Sequence, residues 1–152
     1  MKRFDSSSND SRADSEFDGR RIVIRLEEHS YREKFLATII GPASIDDPYF
    51  EGTYLLKIEP RAAQKLSVDY IVFHPEFYDF QRTFLKRRDV VRESKGLGKP
   101  SLETFLQDPR LASDGLRGRV YTARRQDLIQ GRTFRKNEFS VLAYGIITRA
   151  KS

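Results

Sequence analysis

Two histidines, His29 and His74, are the first residues in this sequence that could hold a metal or move a proton. Protein zinc sites gather cysteine and histidine ligands at short spacings. Neither histidine has a partner at i+4, and the chain contains no cysteine. A site would have to be assembled from scattered carboxylates, so no metal is expected. His74, followed by Pro75, reads instead as the end of a strand with its ring satisfied by a backbone group. The lack of cysteine also removes thiol nucleophiles and disulfides. Asp46 and Asp47 are adjacent, but neighbouring carboxylates on a turn point apart and do not form an acid–base dyad. Gly96-Leu97-Gly98-Lys99 has the lysine of a phosphate loop without its G-x-x-x-x-G-K-[ST] spacing. No nucleophile elbow marks a Ser-His-Asp set. These absences predict no catalytic residue and no cofactor: a binding protein rather than an enzyme.

Residues suited to binding are more plentiful. The net charge of +6 is concentrated in the second half, where 82–99 hold seven basic against two acidic residues and 110–136 hold eight against two. Residues 22–81 carry six basic and ten acidic groups. Arginine and lysine neutralise phosphates, and aromatic rings stack on unpaired bases. Lys86, Arg87, Arg88, Arg124 and Arg125 are therefore candidate nucleic-acid contacts, with Phe84, Tyr121 and Phe134 interleaved among the basic residues. A solvated helix face is the competing reading, since no RNP-like or zinc-finger pattern accompanies them. Phe17, Tyr49 and Phe50 are candidate anchors for a protein partner. For Tyr49 and Phe50 the alternative is that they fold back on the sheet.

Residues 1–19 are polar with isolated Phe4 and Phe17 and predict a disordered tail. Residues 20–152 are rich enough in aromatic and aliphatic groups for one domain. Alternation predicts strands at 21–26, 35–40 ending on Gly41-Pro42, 52–58 closed by Pro60, and 66–73 broken by His74-Pro75. Ser101 offers an N-cap for a short helix that ends at Asp108-Pro109. Residues 119–130 fit a polar helix. Phe139, Leu142, Ala143, Ile146 and Ile147 make an apolar helical stripe, although Gly145 and the β-branched content leave a strand open. Strands followed by helices predict an α+β fold: a four-stranded antiparallel meander, then two or three helices. A sheet edge pairing with a second copy is a further reading. No apolar run reaches membrane-spanning length and none follows Lys2-Arg3, so a cytoplasmic or nuclear location is expected.

The segments Ala37-Thr38-Ile39-Ile40-Gly41-Pro42, Asp47-Pro48-Tyr49 and Tyr54-Leu55-Leu56-Lys57-Ile58-Glu59 resemble the hairpin of ubiquitin-conjugating enzymes. His74-Pro75 is similar to that family's His-Pro-Asn motif, and Leu102 to Pro109 to the helix beyond its active site. Glu76 stands where the family has its oxyanion-stabilising asparagine, and the catalytic cysteine is missing. The resemblance thus implies an inactive ubiquitin-conjugating enzyme variant that docks ubiquitin or an active conjugating enzyme.

Overall fold

The structure, a computed structural model, describes residues 19–27, 34–80, 92, 96–123 and 133–150. Its six strands are β1 (Arg21–Glu27), β2 (Lys34–Pro42), β3 (Tyr54–Ile58), β4 (Tyr70–Asp79), β5 (Gly115–Ala123) and β6 (Phe139–Arg149). Helix α1 (Pro60–Leu66) joins β3 to β4, and α2 (Leu102–Gln107) precedes β5. Each strand pairs antiparallel with the next, and β6 pairs antiparallel with β1 from Ile22↔Arg149 to Glu27↔Tyr144. The sheet closes into an up-and-down barrel.

Period-two alternation fills the interior. Ile22, Ile24 and Leu26 of β1 point inward, as do Ala37 and Ile39 of β2 and Tyr54, Leu56 and Ile58 of β3. Ile71 and Phe73, Leu116 and Val120, and Ala143 and Ile147 complete the circuit from β4, β5 and β6. A barrel of so few strands has no lumen and is packed by its own side chains. Each fully buried Ile or Leu contributes roughly 1.5–3 kcal/mol relative to exposure. Helix α2, capped by the Ser101 hydroxyl accepting from the Thr104 N–H, adds Leu102, Phe105 and Leu106 to the same core. Arg149 of β6 holds the far end of α2 by donating to the Phe105 and Asp108 carbonyls, 2.9 Å each. Two glycines, Gly118 and Gly145, face each other across β5 and β6. A Cβ on Gly118 would overlap the His74 carbonyl oxygen and come within 2.9 Å of the Phe73 ring.

The closed barrel overturns the expected α+β fold of a four-stranded meander followed by helices, and with it the ubiquitin-conjugating-enzyme-like fold. Each of the first four strands overlaps its expected segment, but the limits move: β3 starts at Tyr54 rather than Gly52, and Leu66, expected to open the fourth strand, ends α1, with β4 beginning at Tyr70. Strand β2 runs through Pro42, and β4 passes His74-Pro75 to reach Asp79. Pro75 is accommodated by a register shift between Pro75 and Phe77 in the pairing with β5, the kind of irregularity where a missing N–H is tolerated. Residues 119–123 of the expected polar helix lie in β5, and 124–130 lie outside the described residues. The apolar stripe from Phe139 to Ile147 is strand β6, not a helix. A register shift between Val120 and Tyr121 lets Phe139 and Val141 pair on the outer face while Ala143 and Ile147 point inward. That change of face imitates helical spacing. Closure also leaves no open edge among the described strands for a second copy to pair with.

Candidate functional site

On the outside of β4, β5 and β6 the pairing register arranges side chains in rows. Phe77 stands beside Arg117; His74, Arg119 and Tyr144 form the next row; Tyr121 and Val141 the next; Ala123 and Phe139 the last. The last rows are covered. A loop from Ala43 to Thr53 and a segment from Thr133 to Glu138 fold over them and bury Phe50, Leu55, Val72, Tyr121, Phe134 and Phe139 as a second, smaller core. The two covering segments are joined by backbone bonds from Asp46 N–H to the Phe134 carbonyl (2.7 Å) and from Phe134 N–H to the Ser44 carbonyl (2.8 Å). Asp47 caps the short 3-10 turn Pro48–Phe50 by accepting from Tyr49 N–H at 2.8 Å. Its carboxylate also lies 3.7 Å from Lys136 of the other segment. The Asp47 carboxylate thus serves the loop's own structure, and Asp46 joins it through its backbone N–H.

The first rows are open to solvent. Phe77 is 49% exposed and Tyr144 43%; at the margin of the covered part stand Tyr49, 50% exposed, and Val141, beside the buried Tyr121, 56% exposed. Two arginines lie among them. Arg117 pairs with Glu27 and, at 2.8 Å, with Asp79, and its guanidinium stands 5.9 Å from the Phe77 ring centre. Arg119 lies 3.1 Å from Glu76 and 5.3 Å from the Tyr144 ring centre. Held by carboxylates and rings together, these guanidinium groups lose little further rotamer freedom when they contact a ligand.

At the boundary between covered and open rows sits a titratable cluster. His74 is buried under Tyr49, whose ring centre is 4.6 Å away, and its Nδ1 has no hydrogen-bond partner. Burial lowers its pKa below the ordinary 6.5; Lys99 and Arg119 push the same way, against Glu76 and the Tyr49 backbone. Burial, with the Tyr49 hydroxyl, pushes the Tyr121 phenol up to about 12, while Arg119 pulls it the other way. Hydrogen bonding to Tyr144 and then Tyr121 raises the Arg119 guanidinium above its usual value. A phenol shifted upward stays protonated and a histidine shifted downward stays neutral. Near pH 7 the cluster therefore offers hydrogen bonds and fixed positive charge, not a poised tyrosinate base.

The sequence singled out part of this face. Tyr49 is on it, and Arg119 and Tyr121, read as members of a polar helix, are strand residues that belong to it. Phe50 is only 6% exposed and stacks edge-on to Tyr121 at 5.2 Å, so it anchors the loop rather than meeting a partner. Glu76, read as a substitute for a catalytic asparagine, is an ion-pair partner of Arg119. Phe17, Lys86, Arg87, Arg88, Arg124 and Arg125 lie outside the described residues. Phe77, Val141 and Tyr144 were missed. The outward position of Tyr144 follows from two-residue alternation once β6 is read as a strand, whereas Phe77 faces outward because the slip after Pro75 reverses the alternation that places Phe73 inside. Among the described residues no three metal-binding side chains come together, and no helix is long and apolar enough to cross a membrane.

No protein-family model, curated protein or solved structure matches this chain. With the barrel in place of the conjugating-enzyme fold and no relative to carry them, the expectations of a pseudoenzyme and of a role in the ubiquitin pathway are withdrawn.

Proposed function

We propose that the protein binds single-stranded nucleic acid on the open rows of the β4–β5–β6 outer face. The observation that carries this reading is the alternation of exposed rings with restrained guanidinium groups, Phe77 beside Arg117 and Tyr144 beside Arg119. Every base has a π-face, so a ladder of aromatic and guanidinium planes accepts bases without requiring a sequence. Phosphate neutralisation comes from the basic residues on either side in the chain. Lys86, Arg87 and Arg88 belong to the connection that follows β4, and Arg124 and Arg125 to the one that follows β5. The net charge of +6 favours a polyanion in the same way.

Fluorescence anisotropy with a labelled oligonucleotide of about ten nucleotides tests this directly. Binding should weaken steeply with added salt, and reversing charge at Arg87, Arg88, Arg124 and Arg125 should flatten that salt slope. Tyr144→Ala should weaken binding about tenfold, in line with the 1–3 kcal/mol typical of one base stack. A duplex of the same sequence should bind less well, because its bases are already stacked. No binding at low salt, or loss of a protein partner rather than an oligonucleotide on Tyr144→Ala, would replace this reading with a protein-docking face.

A further inference from the structure

The carboxylates beside the open rows are not alike. Glu27 and Asp79 are occupied in holding Arg117, and Glu27 also pairs with Arg25. Glu76 lies 3.1 Å from the Arg119 Nε, but the pair lacks hydrogen-bond geometry, and that Nε–H is buried without an acceptor. Among the described residues no N–H or O–H donates to the Glu76 carboxylate. Its place in the backbone is also distinct. Glu76 is the residue left over where the β4–β5 register slips between Pro75 and Phe77, and a bulge of this kind re-aims the side chain it carries. The slip sets a partly exposed carboxylate between the Phe77–Arg117 row and the His74–Arg119–Tyr144 row. A carboxylate with unfilled oxygens repels every phosphate it meets. Base edges are different, because they carry N–H donors.

We propose that Glu76 and Arg119 form a subsite for guanine, an inference that rests on the single-stranded nucleic-acid reading of this face. A carboxylate only accepts, through two oxygens. Guanine sets two donors side by side on its Watson–Crick edge, N1–H and the 2-amino group, and so fills both oxygens at once. Adenine and cytosine offer one amino group there, and thymine offers one N–H between two carbonyls that a carboxylate repels. In a single strand that edge is free to be read. Beside N1 on guanine stands O6, an acceptor, and arginine on O6 and N7 is the commonest base-specific contact. Reading adjacent atoms takes a donor and an acceptor side by side, as Arg119 and Glu76 are. The Arg119 side chain is partly exposed, and a guanidinium carries more N–H donors than the Tyr144 and Tyr121 hydroxyls take up. The Tyr144 ring centre is 5.3 Å from that guanidinium, so a base stacked on the ring brings its edge to the pair.

Anisotropy titrations of the full chain with deoxyoligonucleotides of about ten nucleotides test it. The strands are thymine throughout, or thymine with one central guanine, adenine or hypoxanthine. The guanine strand should bind about tenfold tighter than the adenine and thymine strands, within the range of one bidentate base contact. Hypoxanthine, which lacks the 2-amino group, should lose most of that advantage, a comparison that needs no variant. Glu76→Gln, of the same shape, should abolish the preference for guanine over adenine. Equal binding of the guanine and adenine strands would mean that stacking alone acts. That result, or a guanine advantage that survives Glu76→Gln or loss of the 2-amino group, would overturn the subsite and leave the single-strand reading in place. Failure of every strand to bind at low salt would overturn both.

Discussion

The ring of Tyr49 lies 4.6 Å from the imidazole of His74, joining the loop before β3 to the middle of β4. The contact covers the imidazole from water, and His74 in turn meets the Phe50 ring at 5.8 Å, so one histidine touches both aromatic residues of the covering loop. What stabilises the loop is thereby coupled to the protonation state of a single side chain.

Acidification should weaken the fold through His74. Its folded pKa is below 6.5, so the unfolded chain binds more protons once the pH drops under that value. The stability it governs is complete above about pH 6.5 and is lost progressively as the pH falls toward the folded value. Calorimetric melting between about pH 7.5 and 5 should show the loss, and His74→Gln should flatten it. An unchanged slope in the variant would assign the effect to another group.

Alkali should act through Tyr121. Its phenol titrates at about 12 in the fold against 10.0 ordinarily, so stability falls as the pH rises from 10 toward 12. An ultraviolet titration of the tyrosinates should contain a late-ionising contribution that Tyr121→Phe removes.

The second core should have a measurable anchor. Phe50 packs against Tyr121 at 5.2 Å and Phe139 at 6.3 Å, and Phe50→Ala should cost about 3 kcal/mol in denaturant unfolding. Tyr49→Ala, at a half-exposed position, should cost less. Equal costs would mean that the loop is held by its backbone bonds rather than by the Phe50 ring.

The tightest backbone approach should tolerate no side chain. Gly118→Ala would drive a methyl group into the His74 carbonyl and the Phe73 ring, destabilising the barrel by about 3 kcal/mol or more. Gly52→Ala is the contrasting case: it meets no atom but sits at φ +84, so only backbone strain applies, about 1 kcal/mol. Thermal unfolding of the two variants should rank them in that order.

Much of the sheet was legible because alternation records which side of a strand is buried. Arg21-Ile22-Val23-Ile24-Arg25-Leu26 became β1 with Ile22, Ile24 and Leu26 inside, and Ser101 capped the short helix expected after it. Alternation failed where the register slipped. At Pro75 a bulge carries β4 onward past a residue that ordinarily ends strands, and in β6 a slip opposite Tyr121 gave a strand the spacing of a helix. The resemblance to conjugating enzymes rested chiefly on Ala37 to Pro42, Asp47-Pro48-Tyr49 and Tyr54 to Glu59, which form two paired strands and the capped 3-10 turn between them. A hairpin of this kind fits into any antiparallel sheet and does not define the fold around it.

The sequence by itself determined the strand-forming segments of the first half, the lack of thiol chemistry and the uneven basic charge, because composition and two-residue periodicity are local properties. Only the tertiary structure decided that β1 and β6 meet, closing six strands into a barrel, and that Phe77, Arg117, Arg119 and Tyr144 share one face. Those outcomes depend on hydrogen-bond pairing between segments more than a hundred residues apart and on two register slips, and nothing in a linear pattern records which strand lies across the gap.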